Sequence, residues 1–323
     1  MKENDEHSAY KAICNEVDPP EVIIRIPEDP SLLEVQRKNY CNLFRAFPVP
    51  PRERIEVRDE LIELDTHSIP VRWFQPRDTG PGQTCIIYAH GGGFICGTVD
   101  VADGMGIDLA DRLNVTVVTY HYRLAPEHIF PAPLEDGYTV LQHVAACATS
   151  RGVDPNRLIL SGESCGGNFA AALCLLARDR GGPPILGHVP INPVLDVHRW
   201  ARREVEYCSP DFQSELYQYT SLYLGDHHDV SPEYASPLLA RDLSALPPAL
   251  IWTVSTDPLS EEARLYACRL AAAGVPCELH VERGAIHGSL RARHRFTFAA
   301  RAFDTLCGGV ERLMGRMGTG RRS

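Results

Sequence analysis

One serine lies in a setting that is typical of a catalytic nucleophile. Ser164 is the centre of the Gly-x-Ser-x-Gly pentapeptide 162–166, which follows a short apolar run and precedes an Ala/Leu-rich stretch. A strand, a sharp turn and a helix in this order are the context in which the pentapeptide forms a nucleophile elbow. Gly162 and Gly166 allow the strand and the helix to approach each other closely. The predicted helix, 168–178, points its N-terminus at the serine oxygen.

A serine hydroxyl becomes a good nucleophile only when a base accepts its proton and a carboxylate orients that base. Asp257 comes just after the apolar run 249–255, and His287 lies in a Gly-flanked loop after the run 276–281. Taken singly, Asp257 is also a candidate helix N-cap and His287 a candidate surface-loop residue. Together with Ser164 they follow the chain order Ser, Asp, His, which is one of the known orders of a catalytic triad. We therefore predict this triad.

Acyl transfer also requires backbone N–H donors for the oxyanion. A His-Gly-Gly-Gly motif follows the third strand-like run, and glycines let bare backbone approach a substrate oxygen. We predict that the donors are the N–H groups of Gly92, Gly93 and Cys165. A phosphate-binding loop would need Lys-Ser/Thr after the glycines, whereas the neighbours here are Phe94 and Ile95.

The catalytic candidates need a scaffold that brings distant loops together. Residues 54–63 and 69–74 alternate apolar and polar side chains, which predicts an antiparallel opening pair at a sheet edge. Further along, apolar runs alternate with helical stretches, which predicts an α/β fold with a mostly parallel sheet and helices on both faces. The predicted strands are 85–89, 115–120, 158–161, 185–191, 249–255 and 276–281, and the predicted helices are 101–113, 134–148, 168–178, 259–273 and 293–313. The loops that carry Ser164, Asp257 and His287 then meet at one sheet edge.

Two stretches do not fit this alternation. Residues 1–50 are interrupted by prolines but contain an amphipathic helix at 32–47. Residues 196–235 are rich in Tyr, Trp, Asp and Glu, with helical spacing at 212–224. Such an insertion commonly lies above the carboxyl ends of the strands, where ligands bind. The expected division is a catalytic domain formed by residues 51–195 and 236–323, with an N-terminal cap segment 1–50 and a cap insertion 196–235.

The composition excludes several classes of protein. A net charge of −10 and a pI near 5.7 argue against nucleic acid as a partner. No apolar run approaches the roughly 18 residues of a membrane span, and the first residues lack the apolar core of a signal peptide. The eleven cysteines form no Cys-x-x-Cys pair and lie mostly in apolar runs. We therefore expect a cytoplasmic protein without disulfides or zinc, and the oligomeric state, including a homodimer, stays open.

Several motifs together resemble those of the hormone-sensitive-lipase-like esterases, which are microbial α/β-hydrolases. The resemblance covers residues 54–310. It implies an α/β-hydrolase sheet, a helical cap built from the N-terminal segment and an insertion, and hydrolysis of carboxylic esters. It also implies that Ser164 is the nucleophile, His287 the base and Asp257 its partner. The motifs are HGGGF (90–94), YRLAPEH (122–128), FPAPLEDGY (130–138), GESCGGN (162–168), ASPLLARDLSALPPALI (235–251), DPL (257–259) and GVPCELHVERGAIHG (274–288).

Three positions depart from the family pattern. The family usually has Asp-Ser-Ala in the elbow, and this chain has Glu163, Ser164 and Cys165. Glu163 keeps the charge on a longer stem. Cys165 is either an Ala-sized buried residue or a thiol that makes the enzyme sensitive to thiol reagents. Ser289 stands where the family usually has Phe after His-Gly, and this change is expected to alter the acyl or alcohol pocket.

Other polar clusters have structural interpretations. The stretch 225–229 (Gly-Asp-His-His-Asp) has metal-ligand residue types, but adjacent histidines point apart, so no metal or cofactor is predicted. Arg123, Glu127 and Asp136 are expected to form one buried network under the oxyanion loop. His90 is expected to orient its own loop through a hydrogen bond.

The resulting hypothesis is a serine carboxylesterase that acts on small-molecule esters with short- to medium-chain acyl or aryl groups. An amidase, a deacetylase or an acyltransferase for a specialised metabolite would use the same triad. A non-hydrolytic ligand-binding protein of the same fold is the alternative from another class. Retention of both Ser164 and His287 favours the enzyme.

Overall fold

The apolar runs of the sequence form the strands of one sheet. The structure is a computed structural model that describes residues 3–26, 28–205, 208–225 and 232–315. Within these ranges the sheet has eight strands. They are β1 (Ile55–Glu63), β2 (Ser68–Pro76), β3 (Gln83–Ala89), β4 (Thr116–Tyr120), β5 (Val153–Glu163), β6 (Gly187–Ile191), β7 (Ala249–Val254) and β8 (Cys277–Glu282).

The sheet is mostly parallel, as predicted. The strand order is β1-β2-β4-β3-β5-β6-β7-β8. β1 pairs antiparallel with β2, and β2 pairs antiparallel with β4, which confirms the opening pair at one edge. The remaining neighbours pair in parallel. The carboxyl ends of β5, β7 and β8 therefore lie along the same edge, where ligands bind in sheets of this type.

Both faces of the sheet are covered, because successive side chains of a strand point to opposite faces. Ile87 and Leu160 pack into one apolar cluster with Phe169 and Tyr266, while the adjacent Ile86 packs into a second cluster on the other face. The first cluster is closed by α5 (Ala132–Cys147), α6 (Cys165–Arg180) and α10 (Ser260–Ala272), and the second by α4 (Asp103–Leu113) and α11 (Thr297–Leu313). Near-continuous apolar strands are the consequence.

Two helices begin three or more residues away from their predicted starts. The helix after the nucleophile begins at Cys165 instead of residue 168, because the chain turns sharply at Ser164 itself. The last helix begins at Thr297 instead of residue 293, because Ser289–Ala292 forms a separate 3₁₀ turn after the histidine loop.

The N-terminal segment contains three helices, of which the sequence analysis predicted one. They are α1 (Glu3–Val17), α2 (Glu21–Arg25) and α3 (Leu32–Arg45). The predicted helix 32–47 is confirmed as α3. In α1, Tyr10 is 3% exposed and packs on Phe47, Phe296 and Phe298, so this polar stretch is also anchored by apolar contact.

The insertion contributes α7 (Val197–Ala201), α8 (Pro210–Leu224) and α9 (Pro232–Ala235), and α8 confirms the predicted helical spacing at 212–224. α2, α3 and α8 share a small apolar cluster that includes Ile23, Tyr40 and Tyr219. We refer to α1, α2, α3 and α8 as the covering helices. No helix in the described ranges is long and apolar enough to cross a membrane.

Candidate active site

The turn predicted to be a nucleophile elbow lies between β5 and α6 and contains a strained residue. Ser164 has φ 59° and ψ −116°, a conformation that non-glycine residues rarely adopt. Its N–H donates to the Ile191 carbonyl oxygen at 2.9 Å, which ties the turn to the neighbouring strand. A Cβ at Gly166 would clash with the Ala89 carbonyl oxygen. The turn is therefore held by close backbone packing, and it presents the serine side chain at the edge of the sheet.

The histidine and the aspartate meet at this edge. His287 Nδ1 lies 2.5 Å from Asp257 Oδ2, although 30 residues separate them in the chain. The other carboxylate oxygen, Oδ1, accepts a hydrogen bond from the Leu259 N–H at 2.9 Å. Burial alone would lower the pKa of His287, but the charge and hydrogen bond of the Asp257 carboxylate, together with the charge of Glu163, outweigh burial and raise that pKa above its usual 6.5.

Ser164 and His287 both line a cavity of about 620 Å³. Asp257 is 4% exposed and lies behind the imidazole, outside the lining of the cavity. Among the described residues, Ser164 Oγ has no hydrogen-bond partner. The hydroxyl and the imidazole are therefore in one cavity without a formed hydrogen bond, and catalytic hydrogen bonds commonly tighten only when substrate is bound.

The glycine loop after β3 lines the same cavity. Gly92 has φ 120° and Gly93 has φ 60°, so both need the left-handed backbone that glycine permits. A Cβ at Gly93 would also clash with the ring of Tyr219 on α8. Within the described ranges, the N–H groups of Gly92, Gly93 and Cys165 donate to no backbone carbonyl oxygen, although the Gly93 N–H also contacts the Cys165 sulfur, which is a weak acceptor. They are therefore available to bind a substrate oxygen, next to the N-terminus of α6.

His90 orients its own loop, as predicted. Its Nδ1 lies 2.7 Å from the Gly91 carbonyl oxygen, which places the proton on Nδ1. Tyr122 donates its hydroxyl proton to the His90 carbonyl oxygen at 2.9 Å. Burial lowers the pKa of His90 to about 3, so the ring is neutral at ordinary pH. The loop is thus fixed by neutral hydrogen bonds.

The side chain of Cys165 is sealed off from the cavity. It is fully buried, and its Sγ lies 3.5 Å from the Tyr122 hydroxyl and 3.8 Å from the His90 carbonyl oxygen. Burial raises the pKa of this thiol, which the Tyr122 hydrogen bond lowers to a lesser extent. A buried thiol with a raised pKa is a poor nucleophile. The Ala-sized interpretation therefore fits the structure, and the reactive one does not.

The two other departures from the family pattern have different consequences. Ser289 is buried outside the cavity lining, and its hydroxyl accepts a hydrogen bond from the Ile286 N–H at 3.2 Å. It therefore holds the histidine loop, and the effect of this change on the pocket stays a prediction. Glu163 is 7% exposed and lines the cavity, and its Oε1 has no hydrogen-bond partner among the described residues.

The predicted network of Arg123, Glu127 and Asp136 is two separate groups. Asp136 is buried and accepts hydrogen bonds from Arg123 at 2.8 Å and from His67 at 2.9 Å. Glu127 is exposed and pairs with Arg37 of α3 at 2.6 Å. The prediction of one network is therefore wrong for Glu127, because its partner lies on an N-terminal helix 90 residues away in the chain.

Arg37 fastens α3 to the glycine loop. Its Nε donates to the Ile95 carbonyl oxygen at 2.9 Å, and a second nitrogen donates to the Ala125 carbonyl oxygen at 3.2 Å. The bidentate pair with Glu127 holds the guanidinium plane in place. A larger concavity of about 1000 Å³ on this side is lined by Arg37 and His121 but by neither Ser164 nor His287. The catalytic candidates occupy the smaller cavity.

Sequence reasoning missed cavity residues on the covering helices and beyond the histidine. Asp18, Glu215, Tyr219 and Arg291 all line the cavity with Ser164. A signal for Glu215 was present, because positions 212, 215, 216 and 219 lie on one helical face and only 215 is charged. No comparable pattern marks Asp18, which lies between α1 and α2.

The metal candidate at 225–229 falls outside the described residues, except for Gly225. In the rest of the chain that the structure describes, no three His, Cys, Asp or Glu side chains are grouped as metal ligands would be.

Comparison with known proteins identifies related esterases. A family model described as an alpha/beta hydrolase fold matches residues 86–291. The carboxylesterase NlhH of Mycobacterium tuberculosis is 34% identical over 263 residues, covering 79% of this chain and 82% of that protein. The arylesterase of Saccharolobus solfataricus is 31% identical over 261 residues, covering 80% and 84%.

A solved structure gives the same result. The esterase of the archaeon Pyrobaculum calidifontis matches with a TM-score of 0.78 and 31% sequence identity, covering 87% of this chain and 91% of that chain. Sequence and structure comparisons therefore agree on one group of relatives.

Proposed function

The chain belongs to the hormone-sensitive-lipase-like esterases of the α/β-hydrolase fold and hydrolyses carboxylic esters, and we propose that Ser164, His287 and Asp257 are its catalytic triad. The observation that carries this proposal is the contact of 2.5 Å between His287 Nδ1 and Asp257 Oδ2, beside a cavity that Ser164 and His287 both line. Because Asp257 binds Nδ1, the other ring nitrogen, Nε2, is left to accept the serine proton.

The first half-reaction forms an acyl-enzyme. The Ser164 hydroxyl attacks the ester carbonyl carbon while its proton passes to His287 Nε2. The tetrahedral oxyanion accepts hydrogen bonds from the N–H groups of Gly92, Gly93 and Cys165. Each such donor contributes about 3 kcal/mol to transition-state stabilisation. Collapse of the intermediate breaks the ester bond, and His287 returns the proton to the leaving alcohol.

The second half-reaction releases the acid. His287 takes a proton from water, the resulting hydroxide attacks the acyl carbonyl carbon, and the same N–H groups hold the second oxyanion. Protonation of Ser164 Oγ then frees the carboxylic acid. Asp257 stays ionised throughout and stabilises the imidazolium that forms in both steps.

The size of the cavity supports small substrates. A volume of about 620 Å³ lies in the range of sites for drug-sized molecules. We propose that the covering helices are the cap, within an N-terminal cap segment 1–50 and a cap insertion 196–235. Residues 51–195 and 236–323 would then form the catalytic domain. Short- to medium-chain acyl and aryl esters fit a cavity closed in this way.

The decisive test is covalent labelling together with a nucleophile variant. A fluorophosphonate should label the native protein at Ser164, and Ser164→Ala should lose p-nitrophenyl acetate turnover on the order of 10⁶-fold. p-Nitroacetanilide in the same assay separates an esterase from an amidase. Full turnover by Ser164→Ala, with no label on the native protein, would refute the triad and favour a ligand-binding role.

Location and assembly are also proposals. We propose a cytoplasmic protein, since all eleven cysteines are free thiols, which suits a reducing compartment. A homodimer stays a prediction, and light scattering after size exclusion would test it.

A further inference from the structure

The covering helices place carboxyl groups in the catalytic cavity. Glu215 of α8 and Asp18, between α1 and α2, both line it, and Asp211 lies exposed at its rim. Asp18 Oδ1 accepts a hydrogen bond from Gln36 Nε2 at 3.0 Å. Glu215, in contrast, has neither a hydrogen-bond partner nor an ion-pair partner among the described residues. It is a half-buried carboxyl group that faces a cavity without a protein partner.

The floor of the cavity adds a further acid. Glu163 is 7% exposed, and its Oε1 has no partner among the described residues. The lining therefore contains four acidic side chains, at positions 18, 163, 211 and 215, against two permanently basic ones, Lys11 and Arg291, and the titratable imidazole of His287. Lys11 is exposed at the rim. The charge inside the cavity is thus mainly negative.

Arg291 is already engaged by the protein. Its Nε donates to the Gly288 carbonyl oxygen at 2.7 Å, and its guanidinium lies 4.6 Å from the centre of the Phe44 ring. It also lies near Glu163, whose charge acts on it. An anionic substrate would have to compete for this one cation and approach several carboxylates, which is electrostatically unfavourable.

Aromatic rings complete the wall. Tyr10, Tyr40, Phe212 and Tyr219 line the same cavity as Glu215. The faces of aromatic rings attract cations, and carboxylates combined with aromatic rings are a recurrent way to bind ammonium groups. Because a desolvated carboxylate without a partner is costly, a bound cation would relieve that cost at Glu215.

We propose that the cavity selects esters that carry an ammonium group, either a protonated amine or a quaternary ammonium, and that Glu215 is the main residue that binds it. This inference rests on the proposed function, since it requires the ester carbonyl to lie at Ser164. The ammonium then lies on the side of the covering helices, between Glu215 and the aromatic wall. Asp18 adds negative charge from the opposite helix junction.

The selectivity should depend on pH. Burial and, to a smaller extent, the negative charges of Asp18 and Asp211 together raise the pKa of Glu215 to about 7. The nearby His287 acts in the opposite direction, and Tyr219 also faces Glu215. Acidification protonates Glu215 and removes its attraction for a cation, so the preference for a cationic ester falls as the pH drops through about 7.

A matched pair of esters tests the proposal. Acetylcholine and 3,3-dimethylbutyl acetate have the same shape, and only the first carries a positive charge. The measured quantity is the ratio of kcat/KM for the cationic ester to kcat/KM for the neutral one. Because titration of His287 affects both esters equally, it cancels in this ratio. We expect the native protein to favour acetylcholine, and the ratio to rise between pH 6 and pH 8.

Two variants make the test specific. Glu215→Gln keeps the shape of the side chain and removes its charge, and we expect it to lower the ratio about tenfold and to remove the rise of the ratio through pH 7. A smaller rise near pH 6 should remain, because burial raises the pKa of Asp18 to about 6. The matched control is Glu16→Gln on α1, which removes the same charge from an exposed side chain outside the cavity lining and should leave the ratio unchanged. Asp18→Asn should lower the ratio by less than Glu215→Gln.

The outcomes separate this inference from the proposed function. If neither ester is hydrolysed and no fluorophosphonate label appears on Ser164, the proposed function fails. If the native protein hydrolyses both esters with equal kcat/KM, or if Glu215→Gln keeps the native ratio, the ammonium site is overturned while the triad stands.

Discussion

The loops at the strand ends and the helices that cover them are held by different kinds of interaction. Ser164 is fixed by close backbone contacts, and Asp257 receives a backbone hydrogen bond from Leu259. The covering helices depend on side chains instead, such as Arg37 on the glycine loop and Ile23 in a small apolar cluster. Close backbone packing leaves the loops little conformational freedom, whereas a contact made by a side chain is lost when that one residue is replaced.

We therefore expect the strand-end loops to determine catalysis and the covering helices to determine substrate selectivity. The strand-end loops provide groups that any ester would need, and their geometry follows from the fold itself. The covering helices provide the charges and rings that a particular substrate would meet, and single substitutions can change them without disturbing the sheet. Variants in the two regions should therefore fail in different ways.

After Ser164→Ala, the largest effect is expected at Asp257, the least exposed member of the proposed triad. Asp257→Asn should lower kcat about 10⁴-fold, because an amide no longer holds the imidazole in the tautomer that accepts the serine proton. Steady-state kinetics with p-nitrophenyl acetate measure the loss, and circular dichroism checks the fold. A loss of kcat below tenfold would contradict the proposal that Asp257 orients the imidazole.

The glycine loop joins the two regions, so its variant should affect both. Gly93→Ala should lower kcat about 10²–10³-fold, because a methyl group strains a backbone at φ 60° and displaces an oxyanion donor. The added Cβ also collides with Tyr219 of α8. Gly80→Ala is the matched control, since a Cβ there meets nothing within 4 Å and activity should stay native.

The pH dependence of catalysis is expected to follow the titration of His287, in one of the strand-end loops. His287 must be neutral to accept the serine proton, and its pKa is raised above 6.5 by Asp257. The kcat/KM for a neutral ester should therefore rise with pH, with an apparent pKa above 6.5, and fall about tenfold per pH unit on the acid side. A profile that is flat between pH 5 and pH 8 would contradict the role of the imidazole.

The smallest effect is expected in the covering helices. Arg37→Ala should lower the free energy of unfolding by about 1–3 kcal/mol, because the carbonyl oxygens of Ile95 and Ala125 lose a donor. Urea unfolding measures the change. Arg45→Ala is the control, since Arg45 contacts only Asn42 of its own helix among the hydrogen bonds of the described residues. Equal stability of the two variants would mean that Arg37 does not fasten α3.

The sequence predicted the sheet and the candidate triad because their signals are local. Period-two patterns mark strands, and the residues around Ser164 mark a turn whatever the rest of the chain does. The opening antiparallel pair and the mostly parallel order both follow from such patterns. The three loops were then expected to meet because parallel strands end at one edge.

The sequence analysis missed features that depend on contacts between side chains far apart in the chain. In α1, Tyr10, Ile13, Cys14 and Val17 have helical spacing, but the charged residues between them hide it. The pairing of Glu127 with Arg37 joins residues whose separation no local pattern encodes.

Arg291 contacts the Gly288 carbonyl oxygen, next to His287, and the Tyr40 and Phe44 rings on α3. One side chain thus bridges the loop of His287 and helix α3 above the cavity. Any displacement of α3 would therefore act, through the Arg291 guanidinium, on the backbone next to His287.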